Sequence, residues 1–337
     1  MVAFGYSLLC EQRGPRELVS DAVAAEQAGF DFEVISDHYF PWLDVQGHAP
    51  NCWPVLGAVA SATERVGLMT YVTCPTMRYH PTVVAQMAAT VALLAGEARF
   101  TLGLGAGENL NEHVVGRGWP PVNVRHVMLS EAIEIIRSLL RGGYVNLDGE
   151  HYRVDSAKLW DRPDDGVPIA VAVSGAQSIE AFAPVADAMV AVEPESSLVL
   201  GFDGAAGVRL PKIGQQPLSW GPDADEAVAR AHEQFRWFAG GWKVNAELPG
   251  TAAFEAATRF VKPDDVAAAI PCGPDVGAHV EAVRPFADAG FTHVALVQVG
   301  GVTQPDFIDF AGRELLAALR AEYGKAEDPA IRVRRAQ

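Results

Sequence analysis

The stretch "SDHYFPW", residues 36–42, places an aspartate, a histidine and a tryptophan directly after the mostly apolar run 32–35. An imidazole has an unperturbed pKa near ~6.5 and accepts a proton at neutral pH, which makes His38 a candidate general base. The same stretch also has a structural interpretation, in which Asp37 caps a loop, His38 is a hydrogen-bonded core imidazole and Trp42 is part of the core.

The stretch "GLGAGENLNE", residues 103–112, offers three glycines followed by Glu108. Glycines after a strand usually make a turn, but a turn leaves the polar residues behind them unexplained. Residues without a Cβ let the backbone approach a planar or anionic ligand, and Glu108 at the end of the turn can then protonate a ring nitrogen. These residues alone leave both interpretations open.

A third stretch, "SGAQ", begins a helical segment with three small residues, Ser174, Gly175 and Ala176. Backbone N–H groups at a helix start point along the helix dipole and bind anions well. A plain serine N-cap explains the stretch equally well.

Other kinds of chemistry have little support in the sequence. The nine histidines include no HExxH motif and no pair at helical spacing, so no metal site is predicted. There is no G-x-S-x-G motif of a hydrolase. The four cysteines, Cys10, Cys52, Cys74 and Cys272, stand far apart and predict neither disulfides nor a zinc knuckle, which favours a reducing cytoplasm.

The net charge of −16 argues against a nucleic acid or an anionic membrane as partner, because both would be repelled. The chain shows no basic leader region and no apolar stretch approaching the roughly 18 residues of a membrane span. We therefore expect a cytoplasmic protein that acts on a small molecule.

The elements that must position these residues follow a β-α rhythm. Short β-rich runs such as "DFEVIS", "VGLMTYV" and "RFTLGLG" alternate with segments of helical period such as "PTVVAQMAATVALLA". About eight such units over ~300 residues predict an α/β fold, a closed (β/α)8 TIM barrel. We expect one barrel domain over 1–323, a hairpin insertion near 142–155, a helical insertion near 234–271 and a frayed charged tail over 324–337.

In barrels of this kind the chemistry lies on the loops that follow the carboxyl ends of the strands. The three stretches above, and "TCPT" at 73–76, each follow a predicted strand. They should therefore meet at one rim of the barrel.

Several motifs together resemble a known family. "SDHYFPW", "TCPTMRYHP", "GLGAGENLNE" and "DGEHYRV" followed by "GVPIAVAVSG" run in this order between about Gly5 and Ile179. They are similar to the bacterial luciferase-like superfamily and, within it, to the F420-dependent glucose-6-phosphate dehydrogenase branch. The resemblance implies a (β/α)8 homodimer that binds coenzyme F420, an 8-hydroxy-5-deazaflavin.

The resemblance also implies roles for individual residues. His38 would remove the hydroxyl proton as a hydride moves to C5 of the deazaflavin, Glu108 would protonate N1 of the ring, and Trp42 and Glu11 would line the substrate site. Cofactor contacts are implied for Asp37, Tyr71, Val72, Cys74, Gly105, Gly107, Asn111, Ser174, Gly175 and Ala176, with a non-proline cis peptide at Tyr71-Val72.

The sequence departs from that branch where the sugar phosphate would bind. The loop "VAVEPESSL" carries Glu193 and Glu195, and no lysine or arginine occurs between Arg162 and Arg209. A phosphate beside two carboxylates binds poorly, so we expect an alcohol or sugar other than glucose 6-phosphate. A cation from the 209–243 region, namely Arg209, Lys212 or Lys243, would be needed to rebuild a phosphate site.

Two other functions remain open at this point. One is an FMN-dependent luciferase-like monooxygenase, although flavin oxygenation does not require the acid Glu108. The other is a noncatalytic flavin or deazaflavin carrier.

Overall fold

A computed structural model describes residues 1–334 of the chain. Eight parallel strands close into a barrel in the order β1-β10-β9-β8-β7-β4-β3-β2, and a separate antiparallel hairpin contains β5 and β6. The predicted (β/α)8 barrel is confirmed. The strands are β1 Ala3–Leu8, β2 Phe32–Ile35, β3 Gly67–Thr70, β4 Phe100–Leu104, β5 Val145–Asp148, β6 Arg153–Ala157, β7 Ile169–Ala172, β8 Ala188–Val190, β9 Lys212–Leu218 and β10 His293–Gln298.

Helices surround the barrel. They are α1 Pro15–Ala28, α2 Cys52–Ala62, α3 Pro81–Ala95, α4 Asn109–Glu112, α5 Val122–Arg141, α6 Ala176–Phe182, α7 Ser196–Ala206, α8 Ala224–Phe235, α9 Trp242–Asn245, α10 Gly250–Thr258, α11 Pro263–Ala267, α12 Val276–Glu281, α13 Arg284–Ala289, α14 Gln304–Phe310 and α15 Leu316–Tyr323. A π-helical stretch, Ala311–Leu315, joins the last two, and short 3₁₀ turns lie at Asp44–Gln46, His113–Val115, Arg236–Gly240 and Gly301–Thr303.

The helices pack on the barrel through faces that the sequence pattern predicts. In α5, buried apolar residues recur three or four positions apart, at Leu129, Ile133, Ile136 and Leu140. This spacing places them on one face of the helix. Each fully buried leucine or isoleucine contributes roughly 1.5–3 kcal/mol relative to an exposed one.

Small residues let the strands carry large side chains inside the barrel. A Cβ on Gly5 would lie 2.5 Å from the ring of Phe32, its partner on the neighbouring strand. The interior is filled by a buried cluster of Ala3, Phe32, Val34, Met69, Ala170, Ala188, Val190, Ile213, Ala295 and Ile331. It is a packed core, so ligands must bind at a rim.

The hairpin insertion lies between α5 and β7, outside the barrel sheet. Its turn is held by the Glu131 carboxylate, which accepts the N–H groups of Glu150, His151 and Tyr152 at 3.0–3.2 Å. Ligand atoms of Glu131, Glu150 and His151 lie within 4.8 Å of one another, but these backbone contacts already occupy the Glu131 oxygens.

The helical insertion lies between β9 and β10. It consists of the 3₁₀ turn Arg236–Gly240 followed by α9, α10 and α11, all within or beside the range 234–271.

The tail differs from the frayed segment expected from the sequence. Lys325 pairs with Val2, the Pro329 carbonyl lies 2.8 Å from His293 Nε2, and Ile331 is 7% exposed within the barrel interior cluster. Residues 324–334 thus close the end of the barrel opposite the strand carboxyl ends. The partly buried Ala326 packs on the same cluster, and Arg334 donates to Asp187 Oδ1 through its backbone N–H and to the Ala206 carbonyl through Nη2. Residues 335–337 lie outside the described part of the chain.

A search of the described helices for one with the length and apolarity of a membrane span finds none.

Candidate active site

The predicted polar residues meet at one rim, as the parallel strands require. Glu11 follows β1, Asp37 and His38 follow β2, and Glu108 follows β4. The residues at 71–74 follow β3, and Ser174–Ala176 follow β7, so the predicted cofactor residues lie beyond four adjacent strands, β2, β3, β4 and β7.

His38 lies between two carboxyl groups. Its Nδ1 is 3.1 Å from Glu11 Oε1 and 3.1 Å from the carbonyl oxygen of Phe40, and its Nε2 is 3.4 Å from Glu108 Oε2. A carbonyl oxygen can only accept, so Nδ1 carries the hydrogen and the lone pair of the neutral ring lies on Nε2. Nε2 is therefore the atom that can take a proton, and it faces Glu108.

Glu108 is the acid of this pair. Burial raises the pKa of Glu108 to about 7; His38 opposes the increase, and the negative charges of Glu11 and Glu112 add to it. Its side chain is 14% exposed. A carboxyl group with this pKa is partly protonated at neutral pH, so it can donate or accept a proton there.

Asn111 holds Glu108 and the histidine loop together. Its Nδ2 donates to Glu108 Oε2 at 3.1 Å, while its Oδ1 accepts the N–H groups of Tyr39 at 2.8 Å and Phe40 at 3.3 Å. One amide therefore orients the carboxyl of Glu108 relative to the loop that carries His38.

Glu11 is almost completely buried and is held by a hydroxyl group. Ser36 Oγ donates to Glu11 Oε2 at 2.6 Å and accepts the N–H of Cys10 at 3.0 Å. The other oxygen, Oε1, remains beside His38.

Asp37 is part of an ion-pair clamp that the sequence did not reveal. Its carboxylate accepts from Thr73 Oγ1 at 2.8 Å, from Arg78 Nη2 at 3.2 Å and from the Tyr79 hydroxyl at 3.4 Å. Arg78 also binds Glu112 through Nε at 2.9 Å; burial alone would lower the pKa of Arg78, but the charges of Asp37 and Glu112 raise it. The structure gives Asp37 a clamping role; its predicted contact with a cofactor ring stays a prediction.

The glycines of the β4 loop have a packing role. A Cβ on Gly105 would lie 2.6 Å from Val72 Cγ2, and one on Gly107, at φ 86°, would lie 2.5 Å from Cys74 Sγ. Glycine at these positions lets the β3 and β4 loops approach closely. The peptide bond Tyr71-Val72 is cis, as the resemblance implied. The Tyr71 hydroxyl is buried without a hydrogen-bond partner among the described residues.

The start of α6 offers fewer free N–H groups than expected. Ser178 Oγ accepts the N–H groups of Ser174 at 3.1 Å and Gly175 at 3.3 Å. A Cβ on Gly175 would meet no atom within 4 Å, so the backbone there is open to a ligand. Anion binding at this position stays a prediction, with the N–H groups of Ala176 and Gln177 as the remaining donors.

An aromatic wall, which we define as Trp42, Trp237 and Phe254, lies beside His38. The rings of His38 and Trp42 are 4.9 Å apart, and Trp237 stacks on Trp42 at 4.1 Å with an interplanar angle of 11°. Phe254 meets Trp42 edge-on at 5.1 Å. Trp237 and Phe254 belong to the helical insertion, so sequence reasoning missed them; an isolated tryptophan in an insertion gave no signal of its partner.

A latch around Glu247 ties the insertion to the β4 loop. Its carboxylate accepts from Arg125 Nη2 at 2.5 Å and from Trp119 Nε1 at 2.8 Å, and its carbonyl accepts from Asn109 Nδ2 at 3.1 Å. The loop that presents Glu108 and the insertion that carries Trp237 and Phe254 are therefore one connected unit.

The three cations considered for a phosphate site lie in different places. Lys212 begins β9, at the barrel end opposite the rim, and its Nζ is 2.6 Å from Asp203 Oδ1. Arg209 precedes it on the same side, whereas Lys243 is exposed on α9 in the insertion. Glu193 and Glu195, after β8, are both exposed.

Comparison with known proteins identifies relatives over almost the whole chain. A family model described as luciferase-like monooxygenase matches residues 2–293. An F420-dependent glucose-6-phosphate dehydrogenase of Nakamurella multipartita is 36% identical over 345 residues, covering 96% of this chain and 98% of its own. The F420-dependent hydroxymycolic acid dehydrogenase of Mycobacterium tuberculosis is 36% identical over 297 residues, covering 85% of this chain and 80% of its own.

Solved structures of F420-dependent enzymes also match almost the whole chain. An F420-dependent secondary alcohol dehydrogenase, in complex with an F420-acetone adduct, superposes with a TM-score of 0.86 at 27% identity, covering 95% of this chain and 99% of the other. The coenzyme F420-dependent tetrahydromethanopterin reductase from Methanopyrus kandleri has a TM-score of 0.77 at 22% identity and covers 94% of this chain and 99% of its own; it shares the fold.

Proposed function

The chain belongs to the luciferase-like monooxygenase family, and from this premise we propose that it is an F420-dependent dehydrogenase that moves a hydride between an alcohol or sugar carbon and C5 of the deazaflavin. The observation that carries the proposal is the arrangement of Glu11, His38 and Glu108, in which a base and an acid with a pKa of about 7 stand 3.4 Å apart. Alcohol oxidation by a deazaflavin needs these two groups, one at the hydroxyl and one at the ring.

The residues at the rim fit this cofactor. A carboxyl that is partly protonated at neutral pH suits a ring nitrogen, and the open backbone at Gly175 suits the anionic side chain of the cofactor. We assign the ring to the part of the rim beside Tyr71 and Val72, which are half-buried, whereas Cys74 and Asn111 are buried. When bound, coenzyme F420 supplies a deazaflavin ring that accepts a hydride at C5.

His38 Nε2 takes the hydroxyl proton of the alcohol as the hydride leaves carbon. The positive charge that forms on the His38 imidazole lies beside the Glu11 carboxylate, which stabilises it. Glu108 holds the proton for ring nitrogen N1, and Asn111 orients it. Trp42 shields His38 from water on one side.

The substrate we propose is a neutral alcohol or unphosphorylated sugar. Beside His38 the chain presents the aromatic wall, and after β8 it presents Glu193 and Glu195 where related enzymes would hold a phosphate. Lys212 and Arg209 are too far from the rim to rebuild that site, which leaves Lys243 as the cation to test. Without a cation at that place, a phosphate ester lacks charge-assisted hydrogen bonds that are worth roughly 1.5–3 kcal/mol each.

A competitive titration tests the cofactor. We expect the deazaflavin to bind at least tenfold more tightly than FMN, a difference of ~1.4 kcal/mol. Absorbance at the deazaflavin band gives the affinity, and equal or reversed affinities would favour the monooxygenase.

Steady-state kcat/KM for cofactor reduction tests the substrate. We expect glucose 6-phosphate to be no better than neutral secondary alcohols or glucose. Lys243→Ala serves as the matched variant, because a preference for the phosphate ester that disappears in this variant would show that Lys243 rebuilds the phosphate site.

We also propose a cytoplasmic homodimer. The apolar residues Val83 and Leu94 of α3 are 45% and 50% exposed. They stand eleven residues apart, which is about three helical turns, so they lie on one face of the helix. Leu94 also lies 3.8 Å from the Cβ position of Gly57 on α2, so the face spans both helices. Light scattering of Leu94→Lys should give a monomer where the unchanged chain gives a dimer.

A further inference from the structure

We propose that Ser36 is a positioning residue for catalysis, which acts on His38 through Glu11. The inference rests on the role of His38 as the base in the proposed function. No sequence motif pointed to Ser36 apart from its place before Asp37, and the geometry alone distinguishes it from a serine that merely ends a strand.

The proton of Ser36 is committed to Glu11. Ser36 Oγ accepts the N–H of Cys10 at 3.0 Å, and it donates its single hydrogen to Glu11 Oε2 at 2.6 Å. Ser36 is 7% exposed and Glu11 is 1% exposed, so water does not easily replace this contact. Among the described residues, Ser36 is the side-chain donor to that oxygen.

The contact fixes where the charge of Glu11 lies. With Oε2 held by Ser36, Oε1 is left beside His38 Nδ1 at 3.1 Å. An ionised carboxylate at this distance stabilises the imidazolium that forms when Nε2 takes the substrate proton. The tautomer itself does not depend on Ser36, because the Phe40 carbonyl already requires a hydrogen on Nδ1.

Loss of the hydroxyl therefore has a specific consequence. A buried carboxylate without its donor is less favourable in the charged form, so Glu11 becomes a weaker counter-charge for the imidazolium. The base at Nε2 becomes weaker, although the ring stays in place.

Nuclear magnetic resonance of the cofactor-free protein tests this without any turnover. The ¹⁵N signals of the His38 ring should change toward imidazolium at a pH about one unit lower in Ser36→Ala than in the unchanged protein. Ser36→Thr keeps the hydroxyl and should restore the original midpoint. Ser7→Ala is the matched control, because it removes another buried hydroxyl, one that accepts from Gln215 Nε2.

A double-mutant cycle gives the second measurement. Ser36→Ala and Glu11→Gln should each shift the acidic limb of the kcat/KM profile to lower pH and lower kcat about tenfold, and adding Ser36→Ala to Glu11→Gln should change kcat less than twofold. Additive effects in the cycle, or a His38 midpoint that Ser36→Ala leaves unchanged, would overturn the proposal.

The test remains valid if Ser36→Ala does not fold or if F420 does not bind. If Ser36→Ala does not fold, Ser36→Cys replaces it, and its midpoint should lie between those of Ser36→Thr and Glu11→Gln; a midpoint equal to that of Ser36→Thr would also overturn the proposal. Because the resonance measurement needs no cofactor, failure of F420 to bind would refute the proposed function and leave the assignment of Ser36 to be judged by the titration.

Discussion

The protonation of Glu108 should set the upper pH limit of alcohol oxidation. Its pKa of about 7 means that the protonated fraction is about one half at pH 7 and about one hundredth at pH 9, so the rate should fall about fiftyfold over this interval. Glu108→Gln cannot donate a proton, so it should lower the single-turnover rate of deazaflavin reduction by ~10²–10⁴ at pH 7, and this deficit should shrink as the pH rises toward 9.

The neighbours of Glu108 predict the sign of further shifts. Glu11 raises the pKa of Glu108, so Glu11→Gln should move the descending limb to lower pH. His38 lowers that pKa, so in cofactor-free His38→Ala the carboxyl of Glu108 should titrate at higher pH. Glu193→Gln, which changes an exposed carboxyl on the rim, is the control and should leave the limb unchanged.

The assay is ¹³C resonance of the glutamate carboxyls in the cofactor-free protein, together with the pH profile of kcat/KM. A Glu108 carboxyl that titrates near the ordinary ~4.3 would refute the reasoning, since it would show that burial does not hold the proton in place. So would a descending limb that Glu11→Gln moves to higher pH.

Three further predictions concern His38, Glu33 and Ile331. His38→Ala should lower the single-turnover rate by ~10²–10⁴ with little change in cofactor affinity by titration, because the imidazole acts on a proton in the transition state; a near-full rate would remove it from the mechanism. Both carboxyl oxygens of Glu33 are buried and have no hydrogen-bond partner among residues 1–334, and burial raises the pKa of Glu33 well above its usual value, so the folded state keeps a proton that the unfolded state releases. The contribution of Glu33 to stability is therefore fully present below pH ~4.3 and is lost as the pH rises above that value. The free energy of unfolding of Glu33→Gln in urea, relative to that of the unchanged protein, should increase by up to ~1.4 kcal/mol per pH unit above pH ~4.3. A difference that does not change with pH would contradict this prediction. Ile331→Ala should lower the free energy of unfolding by ~2 kcal/mol, whereas the exposed Arg332→Ala should lower it little, and equal effects would show that the tail does not fill the barrel.

The sequence was sufficient for the barrel and for the position of its rim. The β-α rhythm predicts parallel strands, and parallel strands bring the residues after their carboxyl ends together whatever the intervening helices contain. For this reason the sequence alone predicts that His38 and Glu108, seventy residues apart in the chain, lie close together.

The contacts within the rim could not be obtained in the same way. Arg78 binds both Asp37 and Glu112 because of the exact course of three loops, and no periodicity encodes that course. The glycines Gly105 and Gly107 indicate a close approach, and the structure shows that Val72 and Cys74 make it, while a cofactor contact at these glycines stays a prediction. A glycine in a loop signals a close approach but not what approaches.

The segments added to the barrel were the least predictable. The charged tail contains the apolar residue Ile331, which is buried in the barrel interior. Its burial depends on an opening at the end of the barrel, and the amino-acid composition of the tail does not reveal that opening. Trp237 stacks on Trp42 from almost two hundred residues away, and such a pair is defined by the fold of the insertion alone.

The Glu247 latch has a consequence for engineering. A designer who wishes to exchange the aromatic wall for that of another barrel would naturally replace the helical insertion alone. The replacement would then face Trp119 and Arg125 without the carboxylate they hold, leaving the guanidinium of Arg125, which is 3% exposed, unpaired beside the loop of Glu108. A working replacement must therefore exchange the insertion together with the segment that contains Trp119 and Arg125. The part of the protein that contacts the substrate and the part that positions the acid Glu108 can then be changed only together.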